Sequence, residues 1–110
     1  MKKRLFSMVI LLVVVLSSAF AFKGYVDITN DTGYTIFYIY VSHHTSDSWE
    51  EDVLDDDVLM DGDTFRLILR DYPDSVFDIK VEDEDGDTYV FWEVDIAEED
   101  ITVTLADLEM

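Results

Sequence analysis

Tyr34-Thr35-Ile36-Phe37-Tyr38-Ile39-Tyr40-Val41-Ser42 is the strongest strand signal in the chain, a run dense in β-branched and aromatic residues. Such side chains fit the pleated, half-buried surface of a sheet. Both faces of the run are apolar, with Ile36, Tyr38 and Tyr40 on one side and Phe37, Ile39 and Val41 on the other. That pattern predicts a central strand covered on both sides, or a strand with one face in a partner interface. The row of Tyr34, Tyr38 and Tyr40 reads first as core packing, with hydroxyls reaching the sheet edge. Its functional reading is an aromatic binding face for a peptide or a sugar.

Outward from this run the period is mostly two. Tyr25 to Thr29 reads as a strand with Val26 and Ile28 inward, closed by the turn Asn30-Asp31-Thr32-Gly33. Thr64 to Arg70 alternates, with Phe65, Leu67 and Leu69 inward and Arg66, Ile68 and Arg70 outward. Beyond the turn at Asp71-Tyr72-Pro73-Asp74, Phe77, Ile79 and Val81 face the core. Asp85-Gly86 marks a two-residue hairpin turn. The return strand, Thr88 to Ile96, places Val90, Trp92, Val94 and Ile96 on one face, and Ile101, Val103 and Leu105 close the domain. Ser48-Trp49-Glu50-Glu51 has the form of a capping box, which predicts one short helical turn over Trp49 to Leu54. Turn signals every eight to twelve residues predict an all-β fold, a small antiparallel β-sandwich of six to seven strands. A small closed barrel is the alternative.

The N-terminus has a different character. Met1-Lys2-Lys3-Arg4 precedes an apolar run from Leu5 to Leu16 and the small residues Ser17-Ser18-Ala19-Phe20-Ala21. These are the three parts of a secretory signal peptide, expected over 1–21 with cleavage before Phe22. Residues 22–110 then form one acidic domain outside the cytoplasm, periplasmic or secreted, with no membrane insertion after cleavage. An uncleaved N-terminal anchor is the alternative, because the uncharged run to Phe22 touches the lower limit for a membrane helix.

The charge narrows the partners. The chain has 26 acidic residues, and those after residue 21 face only Lys23, Arg66, Arg70 and Lys80, a formal charge of −22. Nucleic acid and anionic membranes are repelled by such a surface. A basic protein, divalent cations or a salty medium would suit it. Asp outnumbers Glu 18 to 8, which points to acidic turns rather than acidic helices. There is no cysteine, hence no disulfide.

Candidate metal ligands are Asp52, Asp55, Asp83, Asp85 and Asp87, since calcium takes six to eight oxygens that converging loops can supply. No EF-hand is present: setting Gly86 at the sixth position puts Val81 and Trp92 at the first and twelfth. Asp residues placed there for turn chemistry are the plainer reading. His43-His44 reads as a polar loop pair, because neighbours on a strand point to opposite faces and would rarely share a zinc ion unless the backbone loops. Ser42, His43 and Asp47 lie too close in sequence for a catalytic triad. No set of nucleophile, base and oxyanion donors is recognisable, so no enzyme activity is expected, and no cofactor unless the loops hold calcium.

Asn30-x-Thr32-Gly33, Ser42, Trp49-x-x-Asp52-x-Leu54, Leu59-x-x-Gly62, and Phe77-Asp78-Ile79-x-Val81 followed by Asp83-x-Asp85-Gly86 resemble the pattern of a family of small, uncharacterised exported bacterial β-domains. The resemblance spans Tyr25 to Leu105 and implies export and a β fold, and it transfers no activity. Here Glu50 stands where a glycine would be expected after the Trp. The expected function is a non-enzymatic exported binding or interaction module. The alternatives are a calcium-binding β-domain with a weak loop-built site, and a salt-adapted structural envelope protein.

Overall fold

A computed structural model describes residues 21–110 of the chain, and the signal peptide expected over 1–21 lies outside them except for Ala21. The described chain is all-β. Six strands follow in order: β1 (Phe22–Asp31), β2 (Ile36–His43), β3 (Thr64–Tyr72), β4 (Val76–Asp83), β5 (Thr88–Asp95) and β6 (Ile101–Thr104). They form two three-stranded sheets, β3-β1-β6 and β2-β4-β5. The buried residues of both sheets make one apolar cluster, including Val26 and Ile28 of β1, Leu69 of β3, Ile39 and Val41 of β2, Phe77, Ile79 and Val81 of β4, and Val103 of β6. Each such side chain contributes roughly 1.5–3 kcal/mol by leaving water.

Where the alternation is unbroken, the strands face as the period predicts. Val26 and Ile28 point inward, as do Phe77, Ile79 and Val81, and Ile68 is exposed beside the buried Leu69. Two bulges change the other faces. In β2 the register shifts between Ile36 and Tyr38, so Phe37 is an extra residue opposite β4. Ile36, Ile39 and Val41 are therefore all buried, while Phe37 and Tyr38 are exposed. In β5 the register shifts opposite Phe77–Ile79, where Phe91 pairs with Ile79 and Val94 with Phe77. Glu93 occupies the bulge in a left-handed conformation, φ 52°, and its N–H donates to Asp78 Oδ1 at 2.8 Å. An inserted residue flips every side chain on one side of it. Tyr89, Val94 and Ile96 are buried, and Trp92, expected on one face with Val94 and Ile96, is 64% exposed.

Four further expectations are corrected. The sheets are not wholly antiparallel, because β6 runs parallel to β1, pairing Ile28 with Ile101 and Asn30 with Val103. Nor is β2 central: it is an edge strand paired in its sheet with β4 alone. Its open edge is covered by residues 44–63, which strap along it. Ile36 and Leu59 exchange N–H···O bonds of 2.9 Å, and the Val53 N–H donates to the Ile39 carbonyl at 2.8 Å. A covered edge cannot template pairing with another chain. No helix forms over Trp49–Leu54, since this segment is spent on the strap, pinned by buried Leu54 and Leu59. The capping box appears instead at Thr104 and Asp107, on the 3-10 turn Leu105–Asp107, which leaves Leu105 55% exposed rather than in the core.

Asn30 ties β1 to the strap. It is fully buried, and its side-chain amide donates to the carbonyls of Tyr34 (2.7 Å) and Leu59 (3.0 Å). Its Oδ1 accepts from the backbone N–H (3.1 Å) and hydroxyl (2.8 Å) of Thr32. All four bonds an Asn side chain can make are thus formed.

Candidate functional site

The outer face of the β2-β4-β5 sheet is aromatic. The bulge at Phe37 aims Tyr38 and Tyr40 away from the core, and their rings stack at 6.2 Å between centroids. The core-packing reading of Tyr34, Tyr38 and Tyr40 does not hold: Tyr34 and Tyr38 are exposed and Tyr40 is half-buried. The bulge at Glu93 brings Trp92 to the same face, where it meets Trp49 of the strap at 5.6 Å. Between the two indoles lies a shallow pocket of about 110 Å³, lined also by Ser42, Ser46, Ser48, Asp47 and Asp78.

Carboxylates frame these rings. Tyr38 pairs across the ladder with Glu82, and Ser42 with Asp78. Burial, followed by the charges of Glu82 and Asp52, pushes the Tyr40 hydroxyl pKa above its ordinary value. Two cations, one on each outer face, lie against aromatic rings. Lys80 Nζ lies 5.7 Å from the centroid of the Tyr40 ring. On the other sheet Arg66 clasps Asp27 with bonds of 2.8 and 3.0 Å and lies 4.0 Å over the Tyr25 ring. That bidentate grip lowers the Asp27 pKa and raises that of Arg66. The face thus already shows the contact it can offer, an ammonium held against an aromatic ring.

The five carboxylates expected to bind a metal do not assemble into one group. Asp83, Asp85 and Asp87 converge in the β4–β5 hairpin, with oxygens within 4.8 Å of one another. The hairpin is wider than a two-residue turn: Asp83 N–H donates to the Asp87 carbonyl, and Gly86, at φ 82°, donates to that of Asp83. Asp83 is buried, and its Oδ1 accepts from the N–H groups of Asp85 (2.9 Å) and Asp87 (3.0 Å). Its Oδ2 accepts from the Tyr89 hydroxyl at 2.8 Å. Asp52 lies elsewhere, on the strap, where its Oδ1 accepts from the N–H groups of Ile39 (2.8 Å) and Leu54 (3.1 Å). Asp55 is in a turn at φ 56°. The roles visible for Asp52 and Asp83 are those of turn and edge chemistry.

The histidine pair departs from its expected geometry. His43 ends β2 and His44 begins the following turn, so strand alternation no longer separates them. Both rings reach the same carboxylate: His43 Nε2 lies 2.8 Å from Asp74 Oδ1, and His44 Nε2 lies 3.2 Å from Oδ2. His43 is buried against Tyr72, stacked at 5.9 Å, and Phe77, edge-on at 5.4 Å. The Val76 N–H and then the two imidazoles hold the Asp74 carboxyl down to a pKa of about 2. The sequence signal for this group was the turn Asp71-Tyr72-Pro73-Asp74, which returns the chain opposite the end of β2.

No protein-family model, curated protein or solved structure matches the chain. What the fold and the site define is an all-β, two-sheet domain bearing an aromatic, acid-framed outer face.

Proposed function

We propose that this protein is a non-enzymatic exported β-sandwich module that binds a basic segment of a protein partner on the outer face of β2-β4-β5. The observation that carries this reading is the outward display of Tyr38, Tyr40, Trp49 and Trp92 on one sheet face of a strongly acidic chain. Burying large aromatics is strongly favourable, yet two bulges leave Tyr38, Tyr40 and Trp92 outside the core, and the strap brings Trp49 to join them. Lysine and arginine heads fit the ring faces, their stems fit the apolar rims, and the surrounding carboxylates supply long-range attraction. The likeness to small exported bacterial β-domains and the N-terminal signal pattern support the extracytoplasmic setting.

The test is a titration of the protein with a lysine- and arginine-rich peptide, followed by tryptophan fluorescence and calorimetry. The reading expects saturable binding that weakens by about tenfold in Trp92→Ala, the size of one well-placed aromatic contact. Affinity unchanged from the native chain in both Trp92→Ala and Tyr38→Ala would overturn it, and binding of a neutral oligosaccharide in place of the peptide would favour a sugar-binding face.

A further inference from the structure

The geometry points to a second site, a divalent transition-metal centre built from His43, His44 and Asp74. Their donor atoms, one from each residue, lie within 4.8 Å of one another. The nitrogen–oxygen separations are 2.8 Å and 3.2 Å. A tetrahedral zinc ion with bonds of about 2.0–2.1 Å spaces its ligands about 3.3 Å apart. Small ring movements would therefore place all three donors on one ion and leave a fourth position for water.

The surroundings have the features of a supported metal site. His43 is clamped by Tyr72 and Phe77, so one ligand is preorganised in the protein interior. Its other ring nitrogen, Nδ1, lies 2.7 Å from the Thr45 hydroxyl. A metal-bound histidine passes its remaining N–H to such an acceptor, which fixes the ring. The Thr45 N–H lies 3.4 Å from Nδ1, the limit of a bond, so a proton on Nδ1 gives up only this weak contact. Asp74 is steadied by the Val76 N–H at 3.1 Å. Its side chain is 49% exposed and that of His44 30%, which leaves an entry path. Two imidazoles and one carboxylate suit zinc or copper and not calcium, which takes oxygen ligands. The chain's large negative charge would draw any cation toward it.

The test uses the full chain with Zn²⁺, Co²⁺ and Ca²⁺ in separate calorimetric titrations, with the visible spectrum of the Co²⁺ form as a second readout. The proposal expects one Zn²⁺ per chain, a Co²⁺ spectrum of low coordination number, and a higher melting temperature with Zn²⁺ than with Ca²⁺ at equal ionic strength. His44→Ala and Asp74→Asn, both at accessible positions, should each weaken Zn²⁺ by more than tenfold, and Thr45→Val by about tenfold. Asp85→Asn should bind as the native chain does. Absence of Zn²⁺ binding, or binding unchanged in His44→Ala and Asp74→Asn, would overturn the proposal and assign any bound ion to the surface carboxylates.

Discussion

The Tyr89 hydroxyl donates to Asp83 Oδ2 at 2.8 Å, with both side chains buried, and so joins β5 to the hairpin that leads into it. Asp83 thereby has donors on both oxygens, two from the backbone and one from the core. Tyr89→Phe removes the one donor on Oδ2 and leaves a buried carboxylate oxygen short of a partner. The expected loss of stability is about 1–3 kcal/mol by urea unfolding. Burial first, then the bond to Asp83, raises the Tyr89 pKa above the ordinary value of 10.0. A raised folded-state value means the contribution is complete below pH 10 and fades as the pH climbs beyond it. Alkaline unfolding should therefore begin above pH 10, and Tyr89→Phe should flatten that limb.

Asn30 offers a sharper test of the strap. Its amide closes four hydrogen bonds in a fully buried position. Asn30→Ala would leave the buried Thr32 N–H without its acceptor and take one of two donors from each of the carbonyls of Tyr34 and Leu59. The expected cost is about 2–3 kcal/mol, with faster amide hydrogen exchange at Ile36 and Leu59. Thr32→Val should cost less, since it removes one hydroxyl and leaves the amide donors in place.

At Glu93 the left-handed backbone can be checked by substitution. Glycine adopts φ near 52° without the steric penalty that any side chain meets there. The bond from Glu93 to Asp78 uses the backbone N–H and survives the change. Glu93→Gly should therefore stabilise the fold by up to about 1 kcal/mol and leave Trp92 outward. Thermal melting and the Trp92 emission maximum would report the two effects.

Acid behaviour follows from Asp74. Its pKa is held at about 2, below the usual 3.8, by the Val76 N–H and the two imidazoles. A depressed folded-state value stabilises the fold above pH 3.8, and that contribution is lost as the pH falls toward 2. Asp74→Asn should remove this part of the acid slope, read from the difference between the two pH–stability curves.

The fold was legible wherever the alternation ran unbroken. Val26 and Ile28, Phe65 to Leu69, and Phe77 to Val81 each alternate around a straight stretch of backbone, so period alone assigned their faces. It failed at Phe37 and Glu93, because a bulge adds a residue without leaving a mark in the hydrophobic pattern. Those two positions reassign Tyr38 and Trp92, which is why the aromatic face was taken for core. The parallel pairing of β6 with β1 was equally hidden, as four residues carry no signal of direction. The capping pattern at Ser48 was real as a pattern, but the open edge of β2 claimed the same backbone groups. Asp52 and Asp83 were legible as turn residues, and their long-range partners Ile39 and Tyr89 were not. The convergence of His43 and His44 on Asp74 depends on β2 ending between two adjacent residues, a boundary that composition does not fix.

The central claim is that the outer face of β2-β4-β5 receives a basic segment. Amide and indole chemical-shift mapping during titration with a lysine- and arginine-rich peptide tests it most directly. Shifts are expected at the indole N–H groups of Trp49 and Trp92 and along Tyr38 to Tyr40, Glu82 and Val90, with the outer face of β3-β1-β6 unmoved. Shifts spread evenly over the acidic loops, with both indoles unchanged, would contradict it and leave the charge without a defined partner surface.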